Sequence, residues 1–396
     1  MLRTRDRKKQ EMKSRLTLIL LFICLAITQG ACAQVPEKGV WISVFSSKRV
    51  HYSRQAINEL LKNCKEAGIS QIYFQVYQSG RAFYNSRICA QPKYKEMLLG
   101  SGTDTLDYLL REARKNKIKV FAWVNILSLG TNPDADILKK LGPGILTLDQ
   151  YGRPSGRKDP NDSDKYYLRD EHLFLEPGDP RVAKYIFAIV DEVVTRYPQL
   201  SGVHLDYVRY PMTVPFSPGS RFKNYGINYG YGREDIRRFR EASGLDPFTL
   251  NKDKDFSSWD NWRRQQVTDL VRNISRQVKL RSSGMLVSCA VIPAHERAYS
   301  SMFQDWPGWL QEGIVDYVVL MNYTLDNQLA KEISRAAISL RQQGKVYVGM
   351  GVFLMKDDPA IFKEQYKALN LLNPDGIVFF AYDDITPDLL MYIGGH

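Results

Sequence analysis

Eight short apolar runs, rich in β-branched and aromatic residues, recur along the chain and predict eight β-strands. The runs are GVWISVF (39–45), ISQIYFQVY (69–77), IKVFAWVNIL (118–127), SGVHLDYV (201–208), GMLVSCAVI (284–292), VDYVVLMNY (315–323), KVYVGMGVF (345–353) and DGIVFFAYDD (375–384). Near-continuous apolar strands are typical of a sheet that is buried on both faces, and such sheets are parallel.

Amphipathic stretches separate the runs and predict a helix after every strand except the last. They lie at 53–68, 104–117, 179–198, 262–281, 301–312, 327–343 and 358–372. Gly68 ends the first helix, and Asp179 and Pro180 supply the N-cap and the first helical position of the third. The repeat predicts a (β/α)8 (TIM) barrel. A doubly wound open sheet is the alternative, but eight regular repeats favour closure.

Two connections are much longer than the others, and both follow the carboxyl ends of strands. They are 128–178, after the third strand, and 212–261, after the fourth. In a barrel, such insertions project from the rim where binding sites are built. The second contains NYGINYGYG (224–232), which predicts either an aromatic surface for sugar rings or a loop packed on its own tyrosines.

The first 33 residues have the pattern of a secretory signal peptide. Seven basic residues precede the apolar run LTLILLFICLAI (16–27), which is too short to span a membrane, and ACAQ (31–34) follows it. We expect cleavage after Ala33, leaving a single domain at 34–396. Acylation of Cys32, as in a lipoprotein, is the less favoured alternative. Either route predicts a secreted, periplasmic or envelope protein without a transmembrane span.

Composition and charge fit a folded, exported protein, with 44% apolar and 25% charged residues. The formal net charge is +12, of which residues 1–33 contribute +5, leaving +7 for the mature chain. This charge suits an anionic partner such as an acidic polysaccharide, and no nucleic-acid motif is present. The mature cysteines, Cys64, Cys89 and Cys289, allow at most one disulfide, and buried free thiols are the simpler interpretation.

Polar side chains recur at the carboxyl ends of the predicted strands, whereas the beginnings of those strands are mostly apolar. They are Gln75, Trp123, Asn125, His204, Asp206, Asn322, Tyr323, Tyr382, Asp383 and Asp384. In a barrel these ends meet at one rim, so a shared site explains the set better than isolated loop caps.

Asp206 is the strongest candidate, in the segment SGVHLDYVRYP (201–211). Strand alternation places His204 and Asp206 on one face, while Tyr207 continues the opposite, buried face. A buried carboxylate is costly unless it is paired or used. Asp206 therefore either faces the site or forms a structural ion pair with Arg209 or a neighbouring barrel residue. His204 either joins the site, orients Asp206 or satisfies a hydrogen bond in the core.

Several segments together resemble one bacterial envelope family, the glycosyl hydrolase-like family 10 proteins. They are GVHLDYVRYP (202–211), GVWISV (39–44), IYFQVYQSGRAFYNS (72–86), FAWVN (121–125), FLEPGDPRV (174–182), VDYVVLMNYTLDN (315–327) and VYVGMGVFLM (346–355). The resemblance covers nearly the whole mature chain. It implies a (β/α)8 barrel and hydrolysis of bacterial glycans such as peptidoglycan strands. This chain departs from the family at Glu176, where Asp is common, and at VSCAVIP (287–293), which lacks the family's Ser-Pro-x-Gly.

Glycoside cleavage normally uses two carboxyl groups that flank the scissile bond. Asp206 is the first candidate, and Glu176, Asp383 and Asp326 compete for the second. Glu176 also has a structural explanation as a capping or helix-dipole contact beside Asp179, and Asp383 has one as the N-terminal acid of the final helical turn. The sequence therefore predicts a mechanism that uses two carboxyl groups, but it does not identify the second one.

The remaining candidates are substrate-binding residues. Arg81 and Arg209 would bind anionic sugar substituents such as the lactyl carboxylate of muramic acid, or else form structural ion pairs. Trp123 would either stack on a sugar ring or pack in the core, and hydroxyl groups would be recognised by Asn125, Asn322 and Tyr323. The other candidates at this rim are Gln75, His204, Tyr210 and Asp326.

No metal or organic cofactor is expected, because the sequence has no paired-histidine motif, phosphate loop or dinucleotide fingerprint. Two hypotheses from different classes follow. One is an exported glycoside hydrolase that uses a carboxylate acid/base mechanism. The other is a non-catalytic glycan-binding barrel of the cell envelope.

Overall fold

Eight parallel strands form a closed ring in the computed structural model, which describes residues 35–156, 171–212 and 227–395. The strands are β1 (Glu37–Ile42), β2 (Gln71–Gln78), β3 (Arg81–Ala82), β4 (Lys119–Asn125), β5 (Gly202–Asp206), β6 (Leu286–Val291), β7 (Tyr317–Asn322), β8 (Lys345–Gly351) and β9 (Gly376–Phe380). Neighbours pair in chain order, and β1 pairs with both β2 and β9. Only β3 is outside the ring, as a two-residue antiparallel return beside β2. The predicted barrel is confirmed.

Helices connect the strands of the ring. Those of the described residues are α1 (Arg54–Ala67), α2 (Pro92–Ser101), α3 (Thr105–Lys115), α4 (Asp136–Leu141), α5 (Pro180–Arg196), α6 (Arg233–Ser243), α7 (Asp253–Arg281), α8 (His295–Ser301), α9 (Trp306–Gln311), α10 (Asn327–Ser339), α11 (Pro359–Asn370) and α12 (Pro387–Gly394). Two expectations are corrected. The last strand is followed by a helix, α12, and α7 begins nine residues before the predicted start at 262, which shortens the second insertion.

Local signals in the sequence define the ends of the helices. The Asp179 side chain accepts a hydrogen bond from the Arg181 amide and caps α5, with Pro180 at the first position, as predicted. Gly68 ends α1 in the left-handed conformation, with φ of 65°. The three mature cysteines are buried free thiols, which confirms the simpler interpretation.

Side chains that point into the ring fill it with aromatic rings. The inner cluster consists of Trp41, Tyr73, Phe121, Trp123, Tyr317, Val319, Tyr347 and Val378. Its polar atoms are paired: the Tyr73 hydroxyl donates to Gln71 Oε1 at 2.7 Å and lies 3.1 Å from the Tyr317 hydroxyl. The interior is therefore a packed core, and any open space lies at its end.

The tyrosine-rich segment 224–232 is described from residue 227 onwards. Tyr229 and Tyr231 are buried, and Tyr231 packs against Phe248 and Trp259, with ring centroids 5.3 and 5.6 Å away. Within the described residues, these two tyrosines are therefore buried side chains and do not form an exposed aromatic surface. Tyr225 and the predicted signal peptide lie outside the described residues.

None of the described helices combines the length and the apolar character needed to cross a lipid bilayer.

Gly202 is the residue at which β5 lies against β6, four positions before Asp206. A Cβ at Gly202 would overlap the backbone carbonyl of Leu286, whereas a Cβ at Gly284 would meet open space. We expect Gly202→Ala to lower the free energy of unfolding by about 1–3 kcal/mol, because the added methyl group must push two paired strands apart. Urea denaturation measures this value.

Gly284→Ala is the matched control, and we expect it to change the free energy of unfolding by less than about 0.5 kcal/mol. Equal stability of the two variants would contradict the described pairing of β5 with β6.

Candidate active site

A cleft of about 420 Å³ opens at the carboxyl ends of the strands, and we call it the central cleft. Its walls are mainly aromatic, formed by Trp41, Phe45, Trp123, Tyr207, Tyr323 and Phe380. Its polar lining comes from Ser43, Gln75, Gln78, Asn125, Asp206 and Arg209. Aromatic walls with a few converging polar groups are typical of small-ligand sites.

Asp206 lies at the end of β5, opposite Asn125 of β4. Its carboxylate accepts two hydrogen bonds: Trp123 Nε1 donates to Oδ2 at 3.1 Å, and the Tyr207 amide donates to Oδ1 at 2.7 Å. Tyr207 has a φ of 56°, so the chain turns there instead of continuing the strand. The expectation that Tyr207 extends the strand is therefore wrong, and its ring lines the central cleft.

Burial raises the pKa of Asp206 to about 6, since only 6% of the residue is exposed. The hydrogen bonds from Tyr207 and Trp123 and the positive charge of Arg209 oppose this rise, because each stabilises the charged form. The result is a carboxyl group that exists in both protonation states near pH 6. Such a group is suited to donating and accepting protons under mild conditions.

Arg209 is buried beside this carboxyl group and lines the central cleft. Its Nη1 donates to the Tyr210 carbonyl at 2.9 Å. The guanidinium lies over the rings of Phe174 and Tyr207, at 5.3 and 5.1 Å from their centroids. Arg209 therefore contributes its charge from a position fixed by packing.

Amide and ring contacts orient the rest of the cleft lining. Gln75 Oε1 accepts from the Val44 amide at 3.1 Å, which leaves its Nε2 to donate to Asn125 Oδ1 at 3.3 Å. Tyr323 stacks on Phe380 with centroids 5.4 Å apart and an interplanar angle of 18°. Of the candidate residues, the structure thus brings Gln75, Trp123, Asn125, Asp206, Arg209 and Tyr323 together in one cleft.

His204 lies deeper, inside the barrel, and does not line the central cleft. Trp41 Nε1 donates to its Nε2 at 3.1 Å, so Nδ1 carries the proton and donates to Ser288 Oγ at 2.9 Å. Burial lowers the pKa of His204 to about 3, and the imidazole is neutral. The placement of His204 on the cleft surface is therefore corrected: it supports the packing beneath Asp206.

Glu176 and Tyr210 form a separate buried network. The Tyr210 hydroxyl donates to Glu176 Oε1 at 2.8 Å, and the Gly232 amide donates to Oε2 at 3.2 Å. Burial raises the pKa of Glu176 and that of Asp235, and the nearby Glu176 carboxylate raises the pKa of Asp235 further. Neither Glu176 nor Tyr210 lines the central cleft, so the expected position of both is corrected.

Asp383 and Asp326 also bind local donors instead of lining the cleft. Asp383 Oδ1 accepts from the hydroxyl groups of Ser46 and Ser47, at 2.8 and 3.0 Å, and so anchors the loop after β1. Asp326 is exposed and caps α10 by accepting from the Leu329 amide at 2.9 Å. Asp383 therefore holds a loop and Asp326 caps a helix, and neither is among the described residues that line the central cleft.

Asn322 faces the helical layer, which corrects its predicted position on the cleft. Its Nδ2 donates to the Ala330 carbonyl at 2.8 Å and to Ser334 Oγ at 2.9 Å, both on α10. The physical reason is alternation along β7: Met321 points into the cleft, so its neighbour must point out.

Arg81 lines a second pocket of about 440 Å³, which we call the Arg81 compartment. This compartment shares Phe45 and Gln78 with the central cleft and therefore adjoins it.

Sequence reasoning missed several cleft residues, including Trp41, Met321 and Phe380. Alternation could have found them, because each lies two positions after an inward-facing residue of its own strand, such as Val319 before Met321. Nothing in the pattern signals the turn at Tyr207.

The hydrogen bond from Trp123 to Asp206 is testable through the pKa of the carboxyl group. We expect Trp123→Phe to raise this pKa above about 6, because it removes a donor that stabilises the charged form. Carbon-13 NMR of protein labelled at the aspartate carboxyl carbon measures the value, and Asp206→Asn assigns the signal.

Trp309→Phe is the matched control, since Trp309 Nε1 donates to Thr268 Oγ1 at 3.0 Å in the helical layer. An unchanged or lower pKa in Trp123→Phe would contradict the described hydrogen bond.

Known proteins share both the sequence pattern and the fold. The glycosyl hydrolase-like 10 family model matches residues 36–354. Glycosyl hydrolase DigH of Escherichia coli K12 is 26% identical over an alignment of 321 positions, which covers 73% of this chain and 65% of DigH. The match thus spans less than two thirds of that relative.

Two solved structures resemble the barrel. α-L-Fucosidase isoenzyme 2 from Paenibacillus thiaminolyticus has a TM-score of 0.57 at 14% identity, covering 91% of this chain and 48% of its own. The catalytic domain of the Paenibacillus polymyxa β-amylase has a TM-score of 0.56 at 11% identity, and the match covers 90% of this chain and 94% of that structure. At these identities the likeness shows a common fold. Together with the family match over most of the chain, it leads to one conclusion: this chain belongs to the glycosyl hydrolase-like 10 family.

Proposed function

We propose that the protein is an exported glycoside hydrolase that cleaves a bacterial envelope polysaccharide, with peptidoglycan glycan strands as the first substrate class to test. Asp206 is the acid/base carboxyl group. One observation carries the proposal: a carboxyl group with a pKa of about 6 lies in an aromatic cleft at the carboxyl end of the barrel.

The chemistry follows from the two protonation states of Asp206. The protonated group donates its proton to the glycosidic oxygen as the bond from the anomeric carbon to that oxygen breaks. The resulting carboxylate then accepts a proton from the water that adds to the sugar, which restores the acid. The burial of Asp206 supports this cycle, because it raises the pKa of the carboxyl group to about 6.

The substrate class is supported by the lining of the cleft and by the sequence. Sugar rings present apolar faces that pack on aromatic side chains, and six such side chains form the walls here. A net charge of +7 on residues 34–396 favours glycans that carry acidic groups. The signal-like segment at residues 1–33 supports export to the compartment that contains such glycans.

A second candidate function is glycan binding without cleavage. One observation favours it: within the described residues, Asp206 is the only carboxylate that lines the central cleft. The usual mechanism needs two carboxyl groups. Glu176, Asp326 and Asp383 accept hydrogen bonds elsewhere.

The test offers purified mature protein to a panel of glycans, including peptidoglycan strands, and measures the release of reducing ends. We expect Asp206→Asn to lower kcat by about 100-fold or more, because the amide cannot exchange a proton. Asp326→Asn is the matched control, since Asp326 is exposed and caps α10, and its kcat should equal that of the wild type.

Full activity of Asp206→Asn would remove Asp206 from the reaction. Saturable binding of a glycan without any release of reducing ends by the wild type would instead support the binding function.

Export is tested by the N-terminus of protein recovered from bacterial cells. We expect mass spectrometry to find a chain that begins at Gln34, the product of cleavage after Ala33. A chain that begins at an acylated Cys32 would identify a lipoprotein and overturn the simple cleavage.

A further inference from the structure

The Arg81 compartment differs in chemistry from the central cleft beside it. Arg81, Asn132, Asp134 and His172 are among its lining residues, whereas aromatic rings form most of the walls of the central cleft. A ligand that spans both spaces would therefore place an apolar ring face in one and a polar group in the other.

A tight hairpin fixes the position of Arg81. Residues 78 and 81 pair across the turn, and the two central residues, Ser79 and Gly80, have φ values of 50° and 69°. Positive φ at both central positions is typical of a type I′ turn, which matches the twist of the flanking strands. The hairpin therefore fixes the backbone position from which the Arg81 side chain extends.

Asn132 orients the guanidinium group from the loop that follows β4. Its Oδ1 accepts from Arg81 Nη2 at 3.0 Å, and its Nδ2 donates to the Ser79 carbonyl at 2.8 Å. Close packing holds the two loops together: a Cβ on Gly80 would lie 2.6 Å from Ala135 Cβ, and one on Gly130 would overlap Ser79 Oγ. The compartment is thus built before any ligand arrives.

The charge of Arg81 is not neutralised by an ion pair among the described residues, although Asp134 lines the same compartment. Its hydrogen bond goes to a neutral amide oxygen, and Arg81 is exposed. A guanidinium group has five N–H donors in a planar fork that fits a carboxylate with two parallel hydrogen bonds. Arg209, by contrast, is buried and its Nη1 donates to a backbone carbonyl.

We propose that the Arg81 compartment is a subsite for a carboxylate-bearing sugar, adjoining the sugar that binds beside Asp206. The proposal deepens the proposed function and rests on it for the assignment of the central cleft. Uronic acids and lactyl-ether sugars share the required carboxylate, and the subsite binds this group through Arg81.

Phe45 connects the two sugar positions. It lines both spaces, and 73% of the residue is exposed. Its loop is anchored by Asp383, which accepts from Ser46, Ser47 and the Lys48 amide. An exposed ring held at this boundary offers a face on which a glycan chain packs as it passes from one space to the other.

The experiment measures binding by calorimetry, with Asp206→Asn as the background so that the ligand survives. The ligands are uronic-acid oligosaccharides, muramic-acid-containing oligosaccharides, and the same molecules with their carboxyl groups reduced to alcohols. We expect Arg81→Gln, introduced into this background, to weaken the binding of an acidic ligand at least 10-fold. The affinity for the reduced form of the same ligand should not change. The uronic and lactyl arms identify which source of carboxylate is bound.

Two further variants make the result specific. Arg335→Gln removes an exposed arginine of α10 that pairs with Glu332, and it should not affect binding. Arg81→Lys keeps the charge but loses the planar fork. Its affinity for the acidic ligand should therefore lie between that of the protein with Arg81 and that of Arg81→Gln. Thermal unfolding verifies that each variant is folded.

The outcomes separate this proposal from the proposed function. The subsite would be overturned if Arg81→Gln lowered the affinity for acidic and reduced ligands equally, or for neither. It would also be overturned if acidic glycans did not bind at all, whatever the activity assay shows. Selective loss of acidic ligands supports the subsite even if the wild type releases no reducing ends, in which case only the hydrolase proposal fails.

Discussion

The chemistry of the central cleft depends on one physical constraint. The carboxyl group of Asp206 is buried, so little water reaches it. Burial favours the neutral form of Asp206, while Trp123, the Tyr207 amide and Arg209 favour the charged form. These three groups come from β4, from the turn after β5 and from the segment beyond that turn. The balance near pH 6 therefore exists only when the strands are paired and the chain turns at Tyr207.

The filling of the barrel sets the depth of the cleft. Trp41, Tyr73 and Phe121 occupy the ring below, and burial among them keeps His204 neutral, while hydrogen bonds at both ring nitrogens fix its orientation. A charged imidazole at this depth would favour the ionised form of Asp206. The neutral, packed layer thus allows burial to dominate the pKa of Asp206.

The acids that were predicted to complete the pair show why chain position alone is a poor guide to a site. Asp326 and Glu176 are followed by amides that their own carboxylates accept from, at Leu329 and Gly178, and Asp383 binds the loop after the neighbouring strand β1. Each of these carboxylates therefore accepts from other donors instead of lining the central cleft. Asn322 was misplaced for another reason, since a shift of one residue reverses the face of a strand.

The sequence alone determined the barrel and its family, and it placed Asp206 at the end of a strand, because buried parallel strands and helix caps are visible in local patterns of residues. It also identified Gln75, Trp123, Asn125, Arg209 and Tyr323, which lie where the strands end. Only the tertiary structure decided which side chains share the cleft, that Tyr207 turns into it, and that Arg81 faces a compartment of its own. Those outcomes depend on the pairing of distant strands and on competition for hydrogen-bond donors, and neither is encoded at a single position.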